Sequence, residues 1–340
     1  MKLGIIGLPN SGKSTVFEAL TQTLSTGEKK GESRISTMQV PDERLTVLSN
    51  MFKPKKTIYA QMEYFLPGVS GQTKDQKIWH QVRDCNALIH VVRNFSGYGF
   101  DEPAPYDDFH ALDQELILAD LVVVEKRLER IEQDKQRGRK VDPEELSLLN
   151  QCLKKLETEV PLRKFPELTA APTLKGYGFV SAKPILVLFN NDDDDDRLPV
   201  IENLTDKESC MLIRGKLEQE LAQMSAEEVE DFLEEFNIPA PATDRAIKRS
   251  FEVLGLISFF TFVNEEVKAW TITKDTVAVD AAEVIHSDMK RGFIRAEVVA
   301  YNDLVDAGSY AEARKKGTVR LEGKQYMVQD GDVITFRFNV

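Results

Sequence analysis

Paired cysteines are the first thing the sequence lacks. Its 340 residues include three cysteines, Cys85, Cys152 and Cys210, an odd number at wide separations with no C-x-x-C pair. Neither a disulfide framework nor a structural zinc site is indicated. The four histidines, His80, His90, His110 and His286, lack the close spacing of a metal cluster, so packing or surface roles are expected for them. No apolar stretch is suited to crossing a bilayer, because Leu116 to Val124 and Val253 to Phe262 are too short or too interrupted. The N-terminus has a basic residue and an apolar run, but turn-forming residues stand where a secretory core and cleavage site would be. A cytoplasmic location with no membrane partner is therefore expected. Positive charge is also scarce, with 44 Lys and Arg against 56 Asp and Glu and a net charge of -12. That balance opposes generic phosphate-driven binding and gives no reason to expect sequence-specific DNA recognition, although it permits a local basic patch.

What is present is the composition of a globular protein, 42% hydrophobic and 29% charged, over a length that fits two or three domains. The sharpest chemical signal comes first. Lys2 to Gly7 reads as a buried strand, and Gly7-Leu8-Pro9-Asn10-Ser11-Gly12-Lys13-Ser14 leads from it into a helical run beginning at Thr15. This is G-x-x-x-x-G-K-S between a strand and a helix, the setting a phosphate loop requires. The glycines allow close backbone approach, so N–H groups of Asn10, Ser11, Gly12, Lys13 and Ser14 can surround phosphate at the positive end of the helix. Lys13 is the expected β/γ-phosphate contact and the candidate catalytic residue. The Ser14 hydroxyl is the candidate magnesium ligand, and Thr15 caps or lines the helix start.

Alternation of strands and helices continues. Ile58 to Phe65 reads as a strand, followed by Leu66-Pro67-Gly68, a polar loop over Val69 to Gln72, a helix over Lys77 to Cys85 and a strand over Ala87 to Val92. Pro184 to Phe189 is another strand candidate, ending at Asn190-Asn191-Asp192-Asp193, and Met211 to Ile213 precedes Arg214-Gly215-Lys216. Such a pattern favours a mainly parallel sheet with ligand at the carboxyl ends of the strands. The acidic run Asp192 to Asp196 has three readings, namely a solvated turn, a magnesium-attracting edge or part of base recognition. Asn190 can hold neighbouring loops, Asp193 can accept hydrogens from a guanine edge, and the stem of Lys216 can lie against the base or the phosphate loop.

Phe109 to Val124 is apolar at helical intervals and continues into a densely charged helix. Asp142-Pro143 then starts a second helix through Leu146, Leu149, Leu153 and Leu156, with Glu145 placed for a capping box. This reads as a helical hairpin whose tip gathers Lys135, Arg137, Arg139 and Lys140. Both a solvated arm and a recognition arm fit that pattern. Toward the C-terminus, Glu266 to Thr273, Phe293 to Ala300, Leu321 to Val328 and Val333 to Phe338 read as strands and Val279 to Ile285 as a helix, a small mixed module without a catalytic cluster.

The phosphate loop, the arm segment Glu115-Leu116-Ile117-Leu118-Ala119-Asp120-Leu121 and the tail from Gly292 to Val298 and from Gln329 to Ile334 together resemble the YchF family, the Obg-like P-loop ATPases. The resemblance covers nearly the whole chain. It implies an α/β fold in which a P-loop NTPase domain with a mainly parallel sheet carries an inserted helical hairpin and is followed by a C-terminal β-grasp TGS domain. The corresponding boundaries are 1–112 and 178–262 for the two parts of the nucleotide-binding domain, 113–177 for the arm and 263–340 for the TGS-like domain. It further implies ATP with Mg2+ as cofactor and association with ribosomes through ribosomal RNA or proteins, while departures at the hydrolytic motifs point to slow hydrolysis. Asn190 and Asp193 would then belong to the nucleotide site.

This chain departs from the family pattern in ways that matter chemically. Asn191 stands where guanine-specific relatives carry Lys, which favours ATP. Asp193 stands where the family carries Glu, which keeps GTP binding, alone or alongside ATP, as an alternative. No Asp occupies the D-x-A-G position near Tyr64-Phe65-Leu66-Pro67-Gly68, and only Gly68 matches. The switch segment before Pro41 is short, with Thr37 the nearest magnesium or γ-phosphate candidate. Gly97 to Asp101 offers no histidine to position water, so the water-positioning residue is unknown. A catalytically degenerate nucleotide-sensing, ribosome-binding module is the remaining alternative.

Overall fold

A computed structural model describes residues 1–23, 31–68, 74–97, 99, 101–221 and 224–339. The polar loop expected over Val69 to Gln72, together with Tyr98 and Phe100, lies outside the described residues. The chain begins with β1 (Lys2–Ile6), α1 (Lys13–Thr21), β2 (Arg34–Gln39), α2 (Glu43–Phe52), β3 (Lys56–Ile58), β4 (Gln61–Leu66), α3 (Lys74–Val82) and β5 (Ala87–Asn94). Then come α4 (Pro105–Gln136), α5 (Pro143–Glu157), the short α6 (Pro166–Thr169) and α7 (Pro172–Lys175), β6 (Ile185–Asn191), β7 (Ser209–Ile213), α8 (Gly215–Glu220), α9 (Ala226–Glu235) and α10 (Ala242–Leu254). The remainder is β8 (Leu256–Val263), β9 (Glu266–Thr273), α11 (Ala278–Ile285), α12 (Ser287–Arg291), β10 (Phe293–Ala300), α13 (Tyr301–Ala307), α14 (Tyr310–Lys315), β11 (Arg320–Glu322) and β12 (Asp332–Phe338).

Two compact units result, one from Met1–Thr37 with Glu63–Ser250 and the other from Met38–Met62 with Phe251–Val340. In the first, β4, β1, β5, β6 and β7 pair in parallel in that order, with β2 at the outer edge. Every residue of β6 is buried, as expected where helices cover both faces of a parallel sheet. From β1 the chain reaches β4 on one side and β5 on the other. The carboxyl end of β1 is therefore a topological switch point, the position at which open α/β sheets bind their ligands.

The arm is built as its sequence predicts. Helix α4 has 32 residues, about 48 Å at 1.5 Å per residue, and runs against α5 around Val124, Ile131, Leu149, Cys152 and Leu156. Asp142 caps α5 by accepting from the Glu144 N–H at 2.9 Å. The capping box does not close, because Glu145 turns instead to a two-pronged ion pair with Arg127 at 2.9 and 2.8 Å. At the root, the wholly buried carboxylate of Asp120 accepts from the N–H groups of Val180 and Ser181 at 3.0 and 2.7 Å. That contact explains why an acid sits amid the apolar face of α4.

In the second unit the sheet order is β11-β10-β12-β8-β9-β3, mixing antiparallel and parallel pairs. Phe259, Ile272, Phe293, Ala296, Val298, Ile334 and Phe336 form its core with α11. The strand expected over Ile58 to Phe65 starts only at Gln61 as β4 of the first sheet, while Ile58 ends β3 of this one. The strand expected over Leu321 to Val328 is confined to Arg320–Glu322, with Met327 making a single bridge to Val277. A boundary at 262/263 would cut the β8–β9 hairpin, whose strands pair from Leu256↔Thr273 to Val263↔Glu266.

Candidate nucleotide site

The loop after β1 is shaped by its backbone. Asn10 and Gly12 have φ of 64° and 87°, the left-handed conformation that turns successive N–H groups to one side. Gly12 is also the residue before α1, and Val16 N–H bonds its carbonyl at 2.9 Å. Close packing demands the glycines as well. A Cβ at Gly7 would stand 2.5 Å from the Val91 carbonyl, and one at Gly12 would collide with the Asn190 amide.

Lys13 folds its ammonium back over this loop, donating to the carbonyls of Gly7 at 2.9 Å and Leu8 at 2.6 Å. Burial lowers its pKa to about 8, because these dipoles replace only part of the lost hydration. A phosphate anion in the loop would favour the charged form and reverse that shift. Ser14 is exposed on the first turn of α1, Thr15 is half-buried, and the hydroxyl of Ser11 is buried without a partner. The loop thus offers N–H donors, one ammonium and the hydroxyls of Ser11 and Ser14, a set suited to holding a polyphosphate.

Asn190 is brought against the phosphate loop, whereas Asp193 lies at the start of α8. The Asn190 side chain donates to the Ser11 carbonyl at 3.1 Å and accepts from the Gly215 N–H at 3.0 Å, tying the phosphate loop to the start of α8. Asn191 is buried too, accepting from Asn94 at 3.0 Å and donating to the carbonyls of Asp195 and Arg197 at 3.1 and 2.9 Å. It shapes the acidic turn from within. Asp193 accepts from the Leu217 N–H at 3.2 Å and faces the Lys216 ammonium at 3.9 Å. The Lys216 side chain is 80% exposed, so its stem is not laid against the phosphate loop in this state.

Other elements were not legible beforehand. The edge of the Phe95 ring lies 3.7 Å from where a Cβ at Gly12 would stand, placing an aromatic beside the loop. Glu18, one turn beyond Ser14, is 7% exposed and accepts from Arg34 at 2.9 Å and from Gln219, joining α1 to β2 and α8. A buried acid in an apolar helix face was the available signal.

The hydrolytic side is sparse. Tyr64, Phe65, Leu66 and Pro67 are all buried, and Gly68 is held by Gln81 through bonds of 3.2 and 3.3 Å. Thr37 is an exposed residue within edge strand β2. His90 is 1% exposed and stacks on Phe109 at 5.3 Å, with neither ring nitrogen partnered. Burial lowers its pKa to about 3, so it stays neutral and cannot reach water. His110 packs edge-on against Tyr106 on α4. Among the described residues no cluster of three or more His, Cys, Asp or Glu could hold a metal.

Comparison with known proteins agrees with this geometry. A family model described as 50S ribosome-binding GTPase matches residues 2–124. A second, the YchF-GTPase C-terminal family of unknown function, matches residues 256–339. The chain is 38% identical to the Ribosome-binding ATPase YchF of Bacillus subtilis over 362 aligned residues, with 99% of each chain covered. It is 35% identical to the protein of that name from Haemophilus ducreyi, covering 100% of this chain and 99% of that one. The structure of the Schizosaccharomyces pombe YchF GTPase superposes with a TM-score of 0.82 at 26% identity, covering 99% of this chain and 97% of that one.

Proposed function

The chain belongs to the YchF family of P-loop NTPases, and on that premise we propose that it is an ATP-binding protein that hydrolyses ATP slowly with Mg2+ and works in association with ribosomes. The observation carrying the reading is the Lys13 loop, a left-handed Gly12 and a retracted ammonium at the switch point of a parallel sheet. In this reading the N–H groups from Asn10 to Ser14 receive the β- and γ-phosphates. Lys13 exchanges its two carbonyl partners for phosphate oxygen, supplying positive charge where negative charge grows during transfer.

The Ser14 hydroxyl would hold magnesium together with the bound phosphates, and the metal would supply charge neutralisation there. Thr15 lines the helix start. No carboxylate from the Tyr64 to Gly68 segment stands behind that metal shell, which supports slow turnover. Base choice rests on Asn191. Its inward orientation removes a side chain that could lie over a base, while Asp193 retains an acceptor that a guanine could use. GTP binding, alone or with ATP, is the alternative this carboxylate favours.

We further propose the organisation 1–112 and 178–262 as a nucleotide-binding domain, 113–177 as an inserted arm and 263–340 as a TGS-like β-grasp domain in a cytoplasmic protein. The membership of Met38–Met62 and Phe251–Val263 in the second unit favours extending that last domain. The relatives' name, Ribosome-binding ATPase YchF, supports the ribosome as partner. Exposed Lys135, Arg137, Arg139 and Lys140 at the arm tip can meet ribosomal RNA phosphate.

Single-turnover hydrolysis of ATP and GTP with Mg2+, with and without ribosomes, tests the reading. Tighter binding of ATP and slow hydrolysis are expected. A strong GTP preference would reverse the cofactor assignment, and nucleotide-dependent ribosome binding with no hydrolysis would favour a pure sensor.

A further inference from the structure

The second unit contains a cavity with the chemistry of a ligand site and no part in the Lys13 loop. Along β12, Ile334 and Phe336 enter the core, so the alternating Val333, Thr335 and Arg337 face the other side of the sheet. There α2 covers β9, while α14 reaches Glu297 of β10 through Tyr310 and Arg314. Between them lies a cavity of about 370 Å³, a size typical of small-molecule sites.

Its two ends differ. One is apolar, with Met51 beside Phe52 and Phe262, whose rings stack at 4.5 Å and 10°. The other is basic. Glu297 accepts from Arg314 at 2.8 Å, Arg337 at 3.2 Å and Tyr310 at 3.3 Å, and the two arginine side chains are 60% and 56% exposed. Arg295, also exposed, stands directly opposite Arg337 across the β10–β12 pair. Like charges in register destabilise an antiparallel pair. Two guanidinium groups share the one carboxylate of Glu297, so this end of the cavity carries a local positive excess in a chain whose net charge is -12.

We propose that this cavity binds a phosphate monoester carrying a planar aromatic ring, of which a nucleoside monophosphate is the simplest biological form. The ring lies against Phe52 and Phe262, where base–aromatic stacking tolerates any base. The phosphate meets Arg314 and Arg337, whose forked donors suit phosphate oxygens. This site goes beyond the nucleotide hydrolysis assigned to the first unit.

The test titrates the full-length chain calorimetrically with AMP, phenyl phosphate, adenosine and inorganic phosphate, with the Lys13 loop saturated by a non-hydrolysable ATP analogue and Mg2+. AMP and phenyl phosphate should bind at least tenfold more tightly than adenosine or inorganic phosphate. Arg314→Ala with Arg337→Ala should weaken AMP at least tenfold. Because that pair also strips Glu297 of its cations, Met51→Trp serves as the second variant, narrowing the apolar end and leaving the arginines in place. It too should weaken AMP tenfold, with inorganic phosphate unchanged. Hexaadenylate with a 5′-phosphate, matching AMP, would identify an RNA end as the source, and failure of the hexamer would identify the free nucleotide. No binding of AMP or phenyl phosphate at millimolar concentration, or AMP binding indifferent to both variants, overturns the proposal. Binding of the ATP analogue in the same samples reports separately on the Lys13 loop.

Discussion

Replacing Lys13 by Ala removes the one ammonium that the phosphate loop can present. In the free protein that ammonium is bonded to the Gly7 and Leu8 carbonyls at 2.9 and 2.6 Å, and these bonds must be exchanged for phosphate. A charge-assisted contact to a partner left unpaired is worth roughly 2 to 5 kcal/mol, but the surrendered carbonyl bonds offset part of it. A net loss near the lower end, about 2 to 3 kcal/mol, corresponds to a roughly 30- to 150-fold rise in the ATP dissociation constant.

The pH dependence supplies a second signature. Free Lys13 titrates at about 8 because burial disfavours its charge, while bound phosphate favours the charged form. Below pH 8 the ammonium is already protonated, so its contribution to affinity is flat. Above pH 8 binding must take up a proton, and affinity should fall by up to about tenfold per pH unit. Calorimetric titration with a non-hydrolysable ATP analogue between pH 6.5 and 9.5 measures both effects. Lys13→Ala should weaken binding and abolish the fall above pH 8. Unchanged affinity in a folded variant, or a slope that persists without the lysine, would refute the assignment.

Asn190→Ala should destabilise the first unit by about 1 to 3 kcal/mol in urea unfolding, since it leaves the buried Ser11 carbonyl and Gly215 N–H unpaired. It should weaken ATP and GTP by similar factors, and a selective loss of GTP would instead make it a base reader. Arg163→Ala should cost about 3 to 5 kcal/mol by the same measurement, because its 7% exposed side chain neutralises the buried Asp113 at 2.6 Å, whereas Glu208 keeps Lys164 at 2.7 Å. A loss under 1 kcal/mol would contradict that pairing. Neutralising Lys135, Arg137, Arg139 and Lys140 to Gln should leave the melting temperature and ATP affinity unchanged, as these side chains are exposed, and should reduce co-sedimentation with ribosomes. Undiminished association would move the contact elsewhere.

The phosphate loop, the arm and most strands of the parallel sheet were legible in the sequence because each is a local pattern. Gly7 and Gly12 with Lys13 between a strand and a helix define a conformation within eight residues. Asp142-Pro143 starts a helix whatever lies around it, and β6 is apolar throughout because both faces are covered. Pairings distant in sequence were decided only by the tertiary structure. The run Ile58 to Phe65 begins on the last residue of β3 in one sheet and continues into β4 of the other, since strand propensity is indifferent to which partner strand offers hydrogen bonds. Likewise Glu145 satisfies Arg127 in α4 rather than its own helix start. The fate of Asn190 and Asn191 could not be read from their residue types, because an amide bonds whatever complementary groups the fold brings within 3 Å. Ser11 and Gly215 reach Asn190, and Asn94 reaches Asn191, only once β5, β6, β7 and the phosphate loop are assembled.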